Sequence, residues 1–154
     1  MDIANQRGNH VTKDKALHAW FNSLIRKASF AVNENQDVVL VDSEEFIPFY
    51  TTTSVPDDVV FPYGTYEYIT GAWDSGEVGL TVNLWFYTTS EALPNEKADE
   101  MSQIIGLGGT TIPCDGGFLW IKRGSPWCQS LSDETSPTIK RRYINVTAEY
   151  MTLN

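Results

Sequence analysis

Residues 63–89 read YGTYEYITGAWDSGEVGLTVNLWFYTT, and the alternation inside this stretch decides the fold. Val78, Leu80, Val82, Leu84 and Phe86 occupy every second position, alternating against Glu77, Thr81 and Asn83. A period of two puts the apolar set on one face of a strand. Residues 63–72 form a second extended arm, and the intervening Asp74-Ser75-Gly76 is a turn signal, so the segment predicts a long β-hairpin. With those residues as the turn, Tyr66 and Tyr68 join the Val/Leu face, while Tyr63 stands opposite Tyr87 on the other face, beside Trp85. Core or loop packing accounts for three large aromatics there. So does a protein–protein interface, where aromatic residues are enriched.

On the N-terminal side, Ala16, Leu17, Trp20, Phe21, Leu24, Ile25 and Ala28 recur at helical spacing, which predicts an amphipathic helix over residues 12–28 with Thr12 as its N-cap. Trp20 and Leu84 are expected to be buried between this helix and the sheet. Residues 1–11 have no hydrophobic period and read as a flexible arm. Residues 38–41 are a β-branched run, and residues 46–53 are a further extended candidate.

On the C-terminal side, Ala98, Met101, Ile104 and Ile105 restore the helical period over residues 93–105, with Asn95 as N-cap and Gly106 as the stop. Residues 118–122 read as a short strand, residues 124–137 as a polar loop, and residues 138–151 as a long half-buried strand. Together the elements predict an α+β fold: an antiparallel β-sheet with a long hairpin and two α-helices packed on one face, forming a single domain over residues 12–154.

Composition narrows the function classes. The chain has 154 residues, 42% of them hydrophobic and 20% charged, which fits one packed core and excludes wholesale disorder. Lys plus Arg number 11 against 20 Asp plus Glu, a net charge of −9 that opposes nucleic-acid binding, because phosphate contacts need clustered cations. No apolar run approaches the roughly 18 residues of a membrane helix, and the polar residues 1–10 do not read as a signal peptide. A cytosolic site of synthesis is expected, and with it reduced Cys114 and Cys128.

Candidate chemistry is sparse. His18 has no nucleophile or acid at triad-like spacing, and Cys128 is a nucleophile only in an environment that lowers its pKa. The Gly106-Leu107-Gly108-Gly109 run follows a predicted helix rather than preceding one, so it reads as a helix C-cap and not as a phosphate loop. Asp57-Asp58 and Glu44-Glu45 are neighbours that point apart in an extended chain. Two cysteines and two distant histidines do not make a structural zinc site. No catalytic residue, metal ligand or cofactor is expected.

From Thr12 onward the order of elements resembles the tail terminator, or tail-completion, proteins of long-tailed bacteriophages, also labelled minor tail or minor capsid proteins. The resemblance lies in the N-terminal helix, Phe61-Pro62-Tyr63 leading into a strand, a hairpin ending in Val82-Asn83-Leu84-Trp85-Phe86-Tyr87, a helix over residues 96–105, and a final strand over residues 142–150. It implies a structural protein, not an enzyme: a homo-hexameric ring at the head-proximal end of the tail tube that stops polymerisation. The implied partners are the tail tube protein and the head-tail connector or head-completion protein, with DNA passing through the ring without specific binding and no membrane. The implied location is the virion neck, with the host cytoplasm during assembly. Another neck component and a small ligand-binding or enzymatic α+β domain are the alternative readings.

Within that reading, Tyr63, Trp85 and Tyr87 are subunit-interface candidates. Lys122 and Arg123 precede the loop at residues 124–137, and Lys140, Arg141 and Arg142 follow it. A simple antiparallel return gathers these five cations at one end of the sheet, where they face Asp57-Asp58 or Glu44-Glu45 of a neighbour.

Overall fold

The computed structural model describes residues 10–74, 76–133 and 136–152, with the backbone alone for 131–133. Helix α1 (Lys13–Phe21) leads into strands β1 (Arg26–Val32), β2 (Val38–Phe46), β3 (Phe49–Thr51), β4 (Tyr63–Thr70) and β5 (Glu77–Tyr87). Helix α2 (Ala92–Ile105) then precedes β6 (Thr110–Cys114), β7 (Gly117–Asp133) and β8 (Ser136–Thr152). The fold is mixed α+β: a six-stranded sheet in the order β3-β4-β5-β8-β7-β6, and a separate two-stranded ribbon of β1 and β2. The sheet is not wholly antiparallel, because β3 runs parallel to β4.

The expected hairpin is present as β4–β5, but its connection is longer than three residues. Strand β4 stops at Thr70, and a register shift lies between Tyr68 and Thr70. Tyr63 consequently stands opposite Trp85, not Tyr87. The face assignment is unaffected, since the slip is an even number of positions. Tyr66 pairs with Val82 and Tyr68 with Leu80 on the Val/Leu face. Gly64 is required where it stands: a Cβ there would lie 2.3 Å from the ring of Phe49.

Helix α1 begins as its sequence indicates, with the Lys15 amide donating to Thr12 Oγ1 at 3.1 Å. It ends seven residues early. The Asn22 side chain accepts from the Phe49 amide at 2.9 Å and donates to the carbonyls of His18 (2.9 Å) and Phe49 (3.2 Å), tying the helix end to β3. Leu24 and Ile25 remain in the core as the chain turns outward into β1, so their helical spacing reflects burial rather than helix. Trp20 lies at the edge of that core, half-buried, while Leu84 is fully buried.

Helix α2 starts at Ala92, whose amide donates to Ser90 Oγ at 3.1 Å. Asn95 lies inside the helix and not at its cap, and Gly106 ends the helix with φ 76°. Residues 124–133 continue β7 as half of a long hairpin with β8 and do not form a loop. The ladder breaks between Arg123 and Cys128, and Pro126 sits in that break, where it removes no ladder hydrogen bond. Asn145 Nδ2 donates to the Pro126 carbonyl at 2.8 Å and closes it. Most of the arm expected at residues 1–11 lies outside the described residues. Val11 itself is held to Asp115 by reciprocal hydrogen bonds of 3.0 and 2.9 Å.

One cluster forms the core. Leu80, Val82, Leu84 and Phe86 of β5 meet Leu119 and Ile121 of β7 and Ile144, Val146 and Ala148 of β8. Both α1, through Leu17 and Phe21, and α2, through Ala98, Met101 and Ile105, contribute to the same cluster.

Candidate interaction surfaces

The odd-numbered side chains of β5 and β8 point away from this core. Tyr63 and Trp85 stack with ring centroids 6.1 Å apart and an interplanar angle of 14°. Phe61 bridges Tyr63 at 5.3 Å and Tyr87 at 6.0 Å, and Tyr50 meets Tyr63 edge-on at 6.5 Å. Trp85 Nε1 donates to Thr65 Oγ1 at 3.4 Å, and the Arg141 guanidinium lies 5.1 Å above the Trp85 ring. Stacked rings hold their conformations with little entropy left to lose, and an arginine over an indole is a frequent interface anchor. Tyr87 closes the row and is 67% exposed. The three aromatics expected to share a face do share it, with Phe61, Tyr50 and Arg141 added.

The five cations do not meet. Register places Lys122 opposite Thr147, Arg123 opposite Val146 and Ser130 opposite Arg142, because β7 runs on well past Arg123. Strand alternation separates the other three, sending Arg141 to the outer face and Lys140 and Arg142 to the core side. Lys122 Nζ pairs with Glu77 at 2.6 Å, and Arg123 donates to Ser102 Oγ at 2.8 Å. Lys140 lies 3.7 Å from Glu91. Arg142 is 2% exposed and donates to both Glu91 and Asn95 Oδ1. These partners, with the Arg142 hydrogen bond as the largest cause, hold the Glu91 carboxyl below its usual range. Of the five, Arg123 and Arg141 make no ion pair among the described residues, and Arg141 is the one of these two on the outer face. Asp57 and Asp58 are exposed in a turn between β3 and β4.

The β1–β2 ribbon was hidden in the sequence by the expected helix, which absorbed residues 26–28. Phe30 pairs with Leu40 and Val32 with Val38 on one ribbon face, and Ala31 pairs with Val39 on the other. Phe30, Val32, Val38, Val39, Val41 and Phe46 are all exposed. The run at residues 38–41 was the one signal available. The ribbon root is held by Lys97 of α2, 1% exposed, whose Nζ lies 2.9 Å from both Asp42 and Glu100.

The candidate reactive groups are engaged structurally. His18 Nδ1 lies 2.9 Å from the Tyr66 hydroxyl, and its Nε2 lies 3.3 Å from Asn22. Burial pushes the Cys114 and Cys128 thiols above their ordinary range, which is the opposite of an activated nucleophile, and both are free. Gly106–109 form a helix stop and turn, with Gly109 N–H donating to the Gly106 carbonyl at 3.3 Å. An open cleft of about 620 Å³ is lined by Lys13, Trp73, Asp74 and Tyr150, with Lys13 Nζ 4.2 Å from the Tyr150 ring centre. Among the described residues no group of three or more His, Cys, Asp or Glu side chains is placed to hold a metal, and no helix is long and apolar enough to cross a membrane. No family model, curated protein or solved structure matches the chain.

Proposed function

We propose that this chain is a non-enzymatic assembly subunit, the tail terminator of a long-tailed bacteriophage, forming a ring on the head-proximal end of the tail tube. The observation that carries the reading is the aromatic row of Tyr63, Trp85, Tyr87 and Phe61 with Arg141, displayed on the sheet face opposite the core. Such a pre-stacked surface supports binding to protein rather than to a small molecule, which would need a concave pocket with convergent polar groups. In this reading both helices cover the core side of the sheet and leave the aromatic side to a neighbour. The net charge of −9 suits a passage through which DNA slides without adhering.

The partners are then further copies of the chain, the tail tube protein, and the head connector or completion protein, in the virion neck after assembly in host cytoplasm. Cryo-electron microscopy of tails provides the test. A six-fold ring of this chain at the tube end supports the proposal. Density on the head side alone would favour another neck component, and absence from the particle would reject both.

A further inference from the structure

The β1–β2 ribbon displays an apolar pattern that the isolated chain does not bury. Residues 30–32 and 38–41 read Phe-Ala-Val and Val-Val-Leu-Val, near-continuous apolar runs of the kind found in strands covered on both faces. Yet Val32 is 63% and Val38 is 68% exposed, and they pair with each other on the same face as Phe30 and Leu40. A lone two-stranded ribbon is marginal in water. This one belongs to a separate sheet, joined to the body at its root by the Ile47 amide on the Ile25 carbonyl at 2.8 Å and by Lys97 on Asp42.

We infer that the ribbon of one copy lies across the aromatic outer face of the next, its Phe30, Val32, Val38 and Leu40 face against Tyr63, Trp85 and Tyr87. The inference rests on the ring reading and specifies its contact. Charge selects a second copy as the occupant. The ribbon segment, residues 26–46, carries Glu34, Asp37, Asp42, Glu44 and Glu45 against Arg26 and Lys27. Asp42 is paired with Lys97 and Glu45 with Lys27, while Glu34, Asp37 and Glu44 make no ion pair among the described residues. The rows around Tyr63, Trp85 and Tyr87 have the complementary sign, and the carboxylates of the outer face, Glu67, Glu77 and Glu149, lie in the rows beyond them. The rows around the rings are Tyr63, Trp85 and Arg141; Thr65, Asn83, Tyr143 and Gln129; and Tyr87 with Ile139. These rows hold one unpaired cation and no carboxylate. An apolar acidic ribbon and an aromatic patch with one unpaired cation, on different parts of the same molecule, make a head-to-tail contact, which closes into a ring when the rotation permits.

Complementation by mixing tests this directly. One variant carries Val32→Asp and Val38→Asp, the other Tyr87→Asp and Arg141→Glu, all on solvent-facing side chains, and circular dichroism checks that each folds. Sedimentation at millimolar protein, and on isolated tail tubes, should show wild type assembling while each variant alone stays monomeric. Their mixture should give a one-to-one heterodimer that grows no further, since it retains one intact ribbon and one intact face. A ribbon variant that assembles like wild type, or a mixture without heterodimer beside an assembling wild type, overturns the ribbon contact and leaves the ring reading standing. A wild type that never assembles, alone or on tubes, overturns both.

Discussion

Arg142 of β8 and Glu91 at the start of α2 form an ion pair whose two halves sit in different environments: the guanidinium is 2% exposed, while the Glu91 side chain is 55% exposed. The buried partner is therefore the vulnerable one. Asn95 accepts from the same guanidinium at 2.8 Å, so α2 is fixed to the sheet through its first turn. Glu91→Ala strips Arg142 of its only carboxylate among the described residues and should cost about 1–3 kcal/mol, the range for a buried donor left short of partners. The folded Glu91 carboxyl titrates below its usual value, chiefly through the Arg142 hydrogen bond. Its contribution is thus complete above the ordinary Glu range and lost as pH falls through the folded value. Urea titrations at a series of acidic pH values should show that loss in wild type and not in Glu91→Gln.

Phe21 and Trp20 are neighbours on α1 with different burial, and their truncations should separate. Phe21 is fully buried and packs on Phe49 at 5.1 Å and Tyr66 at 4.6 Å. Phe21→Ala should cost about 3–5 kcal/mol, within reach of the whole stability of a domain this size. Trp20 is only half-buried, so Trp20→Ala should cost less and leave a folded protein. Denaturant unfolding of both variants compares them; equal losses would mean that Trp20 packs more deeply than its position indicates.

The hairpin was legible because β5 repeats one choice five times, apolar at every even position, and no tertiary contact has to be known to read it. The helix end was not. Leu24 and Ile25 satisfy both a helical period and a buried corner, and the decision is made by Asn22 reaching Phe49, which lies 27 residues away. The separation of Arg141 from Arg142 follows from alternation alone. Where Lys122 and Arg123 fall depends instead on the length of β7 and on its interruption between Arg123 and Cys128, and polar residues 124–133 gave no sign that they would pair along β8. The outer aromatic face was readable for the same reason as the hairpin, whereas Phe61 and Tyr50 join it from outside the period-two stretch.

Gly64→Ala tests the seating of β3 on β4. The added methyl would stand 2.3 and 2.4 Å from two ring carbons of Phe49, a residue that is 1% exposed and stacked on Phe21. Overpacking of this kind should cost about 1–3 kcal/mol. Crystallography or NMR of the variant should find Phe49 displaced and its stacking on Phe21 lengthened; an unmoved ring with unchanged stability would contradict the packing.

Thiol reactivity gives a check that depends on pH. Burial is the largest cause raising both cysteines, offset at Cys128 by nearby Arg142 and at Cys114 by Lys13. A raised pKa lowers the thiolate fraction at any given pH, so alkylation by iodoacetamide near pH 8 should be slower than for the unfolded chain and should rise as pH passes above the ordinary thiol range. The associated stability is present below the unfolded thiol pKa and is lost as pH rises through the folded value. Denatured protein supplies the reference rate, and equal rates in the two states would show the thiols to be open to solvent.

The ribbon and α2 are coupled through one buried ammonium, and Asp42→Asn measures that coupling. Lys97 keeps Glu100 at 2.9 Å when Asp42 is neutralised, so its charge is not stranded inside the protein. Asp42 is 58% exposed, and an ion pair of that kind contributes about 0–1 kcal/mol, so global unfolding should barely change. Local opening is a different quantity. The ribbon buries little apolar surface of its own, and it loses a side-chain tie to α2 in the variant. Hydrogen exchange should therefore accelerate at β1 and β2 amides while those of β5 and β8 keep wild-type protection. Equal acceleration in both sheets would mean that the ribbon unfolds only with the body; no acceleration in either would mean that Lys97 does not hold it.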